Sequence, residues 1–121
     1  MRFMMIMIPE VYRKPVRADF MPDPQAIERM SKYNDELRKA GVLLTLDGLT
    51  PPSAGARVSF AGGQAKVIEV PTGGDVTGGY WMLRVNSREE AIDWAKRCPA
   101  GATDLIESRQ VHDPEDFATK R

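Results

Sequence analysis

Of 121 residues, one is cysteine and one is histidine. With Cys98 alone no internal disulfide can form, so packing has to hold the fold. A single thiol also suits a reducing compartment, and the chain is read as cytoplasmic. One sulfur and one imidazole fall short of the spaced ligand set of a zinc or iron site, and no metal or other cofactor is expected. Charge of one sign is missing as well, since 17 basic residues offset 17 acidic ones. That balance gives no drive toward phosphate backbones or anionic lipid, so neither a nucleic-acid nor a membrane partner is expected. The opening apolar run over residues 1–8 stops at Pro9-Glu10 without a small-residue cleavage site. It is too short to span a bilayer and does not read as a signal peptide.

The hydrophobic fraction of 42% over this length suits one domain spanning residues 1–121 with one modest core. The opening run reads as a strand apolar on both faces, with Phe3, Met5 and Met7 one way and Met4, Ile6 and Ile8 the other. A polar stretch over 12–21 reads as surface loop. Asp23 and Pro24 then suit an N-cap and first helical position, and Gly41 a stop. Between them Ala26, Met30, Tyr33, Leu37 and Ala40 recur at helical spacing, with Glu28/Lys32 and Asp35/Lys39 as supporting pairs. Residues 42–46 are β-prone and lead into Asp47-Gly48. Segments 57–61 and 64–68 alternate around Gly62-Gly63, which predicts a hairpin with a two-residue turn. A connection containing Gly73-Gly74 and Gly78-Gly79 reads as mobile and leads into a strand over 80–85. Ser87 and Glu90 form a capping box for a second helix, whose stripe is Ala91, Trp94, Ala95 and Cys98 before Pro99 stops it. A last strand over 104–111 and a polar tail from about 112 complete the chain.

The order strand, helix, strand, hairpin, strand, helix, strand predicts an α+β fold, ferredoxin-like with an inserted β-hairpin. Two helices cover one face of such a sheet. The other face would keep the apolar side chains of the first strand together with Tyr80 and Met82, and a second copy of the chain is the economical cover. A homodimer is therefore expected.

These residues resemble the YCII-related family, and within it the branch that carries the DGPF domain. The likeness runs nearly end to end. It rests on residues 1–7, Lys32-Tyr-Asn-Asp-Glu-Leu37, Ala40-Gly-Val-Leu-Leu44, Gly48-Leu49 with Pro51-Pro52, Gly55-Ala-Arg-Val-Ser-Phe60, Gly79-Tyr-Trp81, Ser87-Arg-Glu-Glu-Ala-Ile92, Trp94-Ala-Lys-Arg-Cys-Pro99, and Arg109-Gln-Val111 with Pro114-Glu-Asp-Phe117. The resemblance implies a dimeric α+β barrel. One segment departs: where the branch reads Asp-Gly-Pro-Phe, this chain has Glu69-Val-Pro-Thr72, keeping the proline and an acidic residue in a loop that looks about two residues shorter. The wider family includes a member similar to a dehydrochlorinating enzyme, with a His and Asp pair proposed for its catalysis. No His precedes His112 here, so that pair is not carried over.

Candidate site residues follow from residue type and position. Asp47 ends a strand before a glycine that lets the backbone turn. It could line the space between sheet and helices, where partial burial would suit a general base. Arg57 and Arg109, with Arg84 and Glu107, lie on expected strands. Pairing across a dimer is the ordinary account of them, and a bidentate grip on an anionic ligand the sharper one. Tyr80 and Trp81 occupy opposite strand faces and could wall a pocket for a flat ligand, although large aromatics in small domains are core first. His112 beside Asp113 could be an acid/base pair, but adjacent tail residues usually point apart. Cys98 near a helix C-terminus is not nominated as a nucleophile. No catalytic residue is assigned. The expected partners are a second copy of the chain and a small anionic or aromatic ligand. The competing reading is an accessory protein-interaction module linked to transcription regulation without direct DNA contact.

Overall fold

The computed structural model describes residues 1–118. The elements are β1 (Arg2–Ile8), α1 (Pro24–Lys39), β2 (Leu43–Gly48), β3 (Arg57–Ser59), β4 (Lys66–Ile68), β5 (Gly79–Arg84), α2 (Arg88–Lys96), β6 (Leu105–Gln110) and α3 (Pro114–Ala118). Four strands form an antiparallel sheet in the order β2-β5-β1-β6, and β3 pairs only with β4 in a separate hairpin. Setting that hairpin aside, the order is that of a ferredoxin-like α+β fold, with each helix crossing over between two parallel, non-adjacent strands.

Local chemistry accounts for both long helices. The Asp23 carboxylate accepts from the Gln25 amide, Pro24 occupies the first position, and Gly41 takes φ 73° just beyond the end. Lys32 pairs with Glu28 at 3.7 Å as the spacing predicts, whereas Asp35 takes Arg38 at 2.9 Å in place of Lys39. At α2 the Ser87 hydroxyl accepts from the Glu90 amide at 3.1 Å. The Glu90 carboxylate reaches one residue further back than a capping box requires, to the Asn86 amide at 2.8 Å.

Burial follows the two periodicities. Phe3, Met5, Trp81, Leu83 and Val85 face Tyr33 and Leu37 of α1 and Ala91 and Trp94 of α2 in one buried cluster. Tyr33 fixes the two helices over the sheet: its ring meets Trp81 edge-on at 5.8 Å, and its hydroxyl donates to the Trp94 carbonyl at 2.6 Å. On the surface Arg97 joins the helices, stacked 4.1 Å over Trp94 and paired with Glu36 at 2.9 Å.

Three local expectations change. The hairpin turn is wider than two residues: Ser59 and Lys66 close the ladder, and a 3-10 turn over Ala61–Gly63 fills the gap with Gly62 and Gly63 at positive φ. Gly78, read as part of a mobile connection, is tied into the sheet end. Its amide donates to the Met7 carbonyl at 2.8 Å and its carbonyl accepts from Leu49 at 2.9 Å. Within the polar tail, residues Pro114–Ala118 form a short helix, and Arg2 Nε donates to Asp113 at 3.2 Å; the remainder of the tail lies outside the described residues. Among the described residues no helix is long and apolar enough to cross a membrane.

Candidate functional site

Strand registers decide which side chains meet on the sheet face that the helices leave open. One row across β2, β5, β1 and β6 is Asp47, Tyr80, Ile6 and Glu107; the next is Thr45, Met82, Met4 and Arg109. Met4, Ile6, Tyr80 and Met82 are half-buried, while Asp47, Glu107 and Arg109 at the two sheet edges are exposed. The result is an apolar strip bounded by charges of both signs.

The position of Asp47 depends on an irregularity in β2. Leu43 pairs with Leu83 and Thr45 with Met82, so Leu44 is an extra residue between them. With that bulge, Leu43 and Leu46 both pack on the helix-side core, and Thr45 and Asp47 turn to the other face. Asp47 is therefore exposed on the open face, not partly buried between sheet and helices as its place in the sequence suggested. There its Oδ2 accepts from the Tyr80 hydroxyl at 2.8 Å. That hydrogen bond, with lesser contributions from burial and the carboxylate charge, raises the Tyr80 pKa above the ordinary phenol value.

The other sequence-selected residues are distributed differently. Arg109 shares the face, one row from Asp47 and at the far edge, 3.9 Å from Glu107. Arg57 lies on the separate hairpin. Trp81 is buried on the helix side, where its indole N–H donates to Asn34 Oδ1 at 2.7 Å, so within the chain it does not share a pocket with Asp47. His112 turns from Asp113 to Asp116, 3.5 Å away, and lies 4.9 Å from the Phe117 ring.

A second concavity escaped the sequence reading. Between α2 and β6 a groove of about 520 Å³ is lined by Arg88, Ile92, Ala95, Cys98, Ile106 and Ser108, among others. Ser108 Oγ is buried there with no hydrogen-bond partner among the described residues. The helix-side alternation of 106 and 108 along β6 is the only signal the sequence offers for it. Burial, with the Asp104 carboxylate as a lesser cause, pushes the Cys98 thiol up to about 11. Iodoacetamide at pH 8 should accordingly find about a hundredfold less thiolate than in the unfolded chain. Alkylation of the native protein should accelerate toward pH 11, and a native rate equal to that in urea would contradict this account. No three His, Cys, Asp or Glu residues cluster so as to hold a metal among the described residues.

The family model for the YCII-related domain matches residues 1–115. The chain belongs to the YCII-related family. Among curated proteins none matches it. The likeness of this YCII-related chain to its family thus covers the whole sheet, both long helices and the hairpin. Its only histidine lies beyond the last strand, so a His and Asp pair within the body of the domain has no counterpart in it.

Proposed function

We propose that the protein works as a cytoplasmic homodimer of the DGPF branch, in which the open sheet faces of two copies meet and enclose a pocket for a small anionic or aromatic molecule. The Tyr80–Asp47 hydrogen bond on the open, half-buried face supports this reading more than any other observation. So joined, the phenol spends its one O–H on the carboxylate, and the pair presents acceptor oxygens beside an apolar strip, a few polar atoms in an apolar lining as small-molecule sites have. Charges of both signs at the strip's edges suit an isologous contact, in which the same patch must complement itself. Arg84 and Arg109 add the cations that an anionic ligand would meet.

Light scattering during gel filtration should give twice the chain mass, and Ile6→Arg should give a monomer. A 15N-labelled sample titrated with salicylate, a small aromatic carboxylate, should show amide shifts at Asp47, Tyr80 and Met82. Shifts confined to Ile92, Ile106 and Ser108 would move the ligand site to the α2/β6 groove. A monomeric wild type would end the homodimer reading and favour the interaction module.

A further inference from the structure

The two edges of the four-stranded sheet differ. β2 is broken by the bulge at Leu44 and followed by Pro51-Pro52, features that keep an edge from pairing. β6 has neither: its register with β1 runs unbroken from Leu105 to Gln110, without proline or lysine. Val111 continues it, its amide donating to the Arg2 carbonyl at 2.9 Å. That bond fixes which way the backbone points. Alternate residues of an antiparallel ladder turn their N–H and C=O to the same side, so Leu105, Glu107, Arg109 and Val111 address β1, and Ile106, Ser108 and Gln110 address the outside. No strand lies beyond β6, and among the described residues no turn or side chain bonds to the backbone of those three. On the helix side of the same strand Ser108 Oγ is buried and, among the described residues, without a partner.

Two copies of one strand related by a two-fold axis normal to the sheet pair antiparallel, so the numbers of opposed residues have a constant sum. The side chains of β6 select one register. With Ser108 on the axis, Glu107 of each copy stands opposite Arg109 of the other, Leu105 opposite Val111, and the two Ser108 residues opposite each other with their outward N–H and C=O groups meeting. Ile106 falls opposite Gln110. Opposite charges and paired hydroxyls both stabilise cross-strand neighbours. A slip of one residue sets Glu107 or Arg109 against itself, and a slip of two sets Glu107 against Leu105 or Asp113.

Resting on the homodimer reading, we infer that the free edge of β6 pairs with β6 of a second copy, antiparallel and with Ser108 on the two-fold axis. The two sheets then become one of eight strands, with the long helices of both copies on one side. Coiling of that sheet about the junction turns the open faces toward each other, and eight coiled strands leave an interior that can hold one small ligand. The bulged β2 edges, which carry Asp47 in both copies, stay unjoined.

The test uses Glu107→Cys and Arg109→Cys, each in a Cys98→Ala background. Both side chains are exposed, at 51% and 74%, so neither change removes packing. Under mild oxidation a mixture of the two chains should give a disulfide-linked dimer, because positions 107 and 109 of opposite copies lie about 4.5 Å apart between Cα atoms. Each variant alone should not link, since a position two residues off the pair is beyond about 7 Å from its own copy. In separate chains Glu107→Arg and Arg109→Glu should each raise the dimer dissociation constant about tenfold, and mixing the two should restore it. A dimeric wild type with no link in the mixture, with Arg109→Cys linking to itself, or with charge variants that dimerise as wild type does, overturns the β6 ladder and leaves the homodimer standing. A wild type that is monomeric at every concentration removes the homodimer itself, and the ladder with it.

Discussion

Trp81→Ala is expected to lower the unfolding free energy by about 3–5 kcal/mol, measured as a shift of the urea midpoint at constant slope. Trp81 is 5% exposed, meets Tyr33 edge-on and donates to Asn34. Truncation removes the ring, opens a cavity between sheet and α1, and leaves the half-buried Asn34 carboxamide without its donor. Native domains hold about 5–15 kcal/mol in all, so roughly a fifth of the stability or more should go. Trp81→Phe refills most of the space but not the hydrogen bond, and about 1–3 kcal/mol should be lost. If Trp81→Ala left the midpoint in place, the residue would not be core, and its reading as a wall for a ligand would return.

Gly78→Ala should destabilise by about 1–3 kcal/mol although it adds one methyl group. A Cβ at that position would come within 2.6 Å of Pro9 Cγ and 2.8 Å of Pro9 Cδ. The pyrrolidine ring cannot rotate away, and both backbone hydrogen bonds of Gly78 hold it in place between Met7 and Leu49. Gly74 provides the control, since nothing lies within 4 Å of a Cβ built there and its φ is not positive. Gly74→Ala should change thermal stability by less than about 0.5 kcal/mol. Equal effects at the two positions would mean that the connection does not pack as described.

The contrast between those glycines shows where reading the chain alone succeeds and where it stops. Features decided within one helical turn or one strand alternation were legible: the Asp23 and Ser87 caps, the Gly41 stop, the opposed faces of Tyr80 and Trp81, and the two-faced character of β1. Features decided by a distant segment were not. The side on which Asp47 emerges is set by the extra residue Leu44 in the ladder with β5, and a bulge has no local signature in Val-Leu-Leu-Thr. Gly78 reads as flexibility because Pro9, the reason for it, stands almost seventy residues earlier. The α2/β6 groove likewise exists only once the two elements are adjacent.

The placement of β1 also bears on how the protein is made. This strand is made before both of its ladder partners, which are the last two strands of the sheet, with Phe3 opposite Leu83 on one side and Gln110 on the other. No segment made before β5 can complete the sheet around it, so a nascent chain carries an apolar ribbon with both hydrogen-bonding edges unsatisfied until β5 and β6 follow. Folding that must wait for contacts this distant along the chain is intrinsically slow and exposed to aggregation. For this molecule the vulnerable interval runs from the emergence of β1 to that of β6, and a holdase that shields residues 2–8 over that interval should raise its yield.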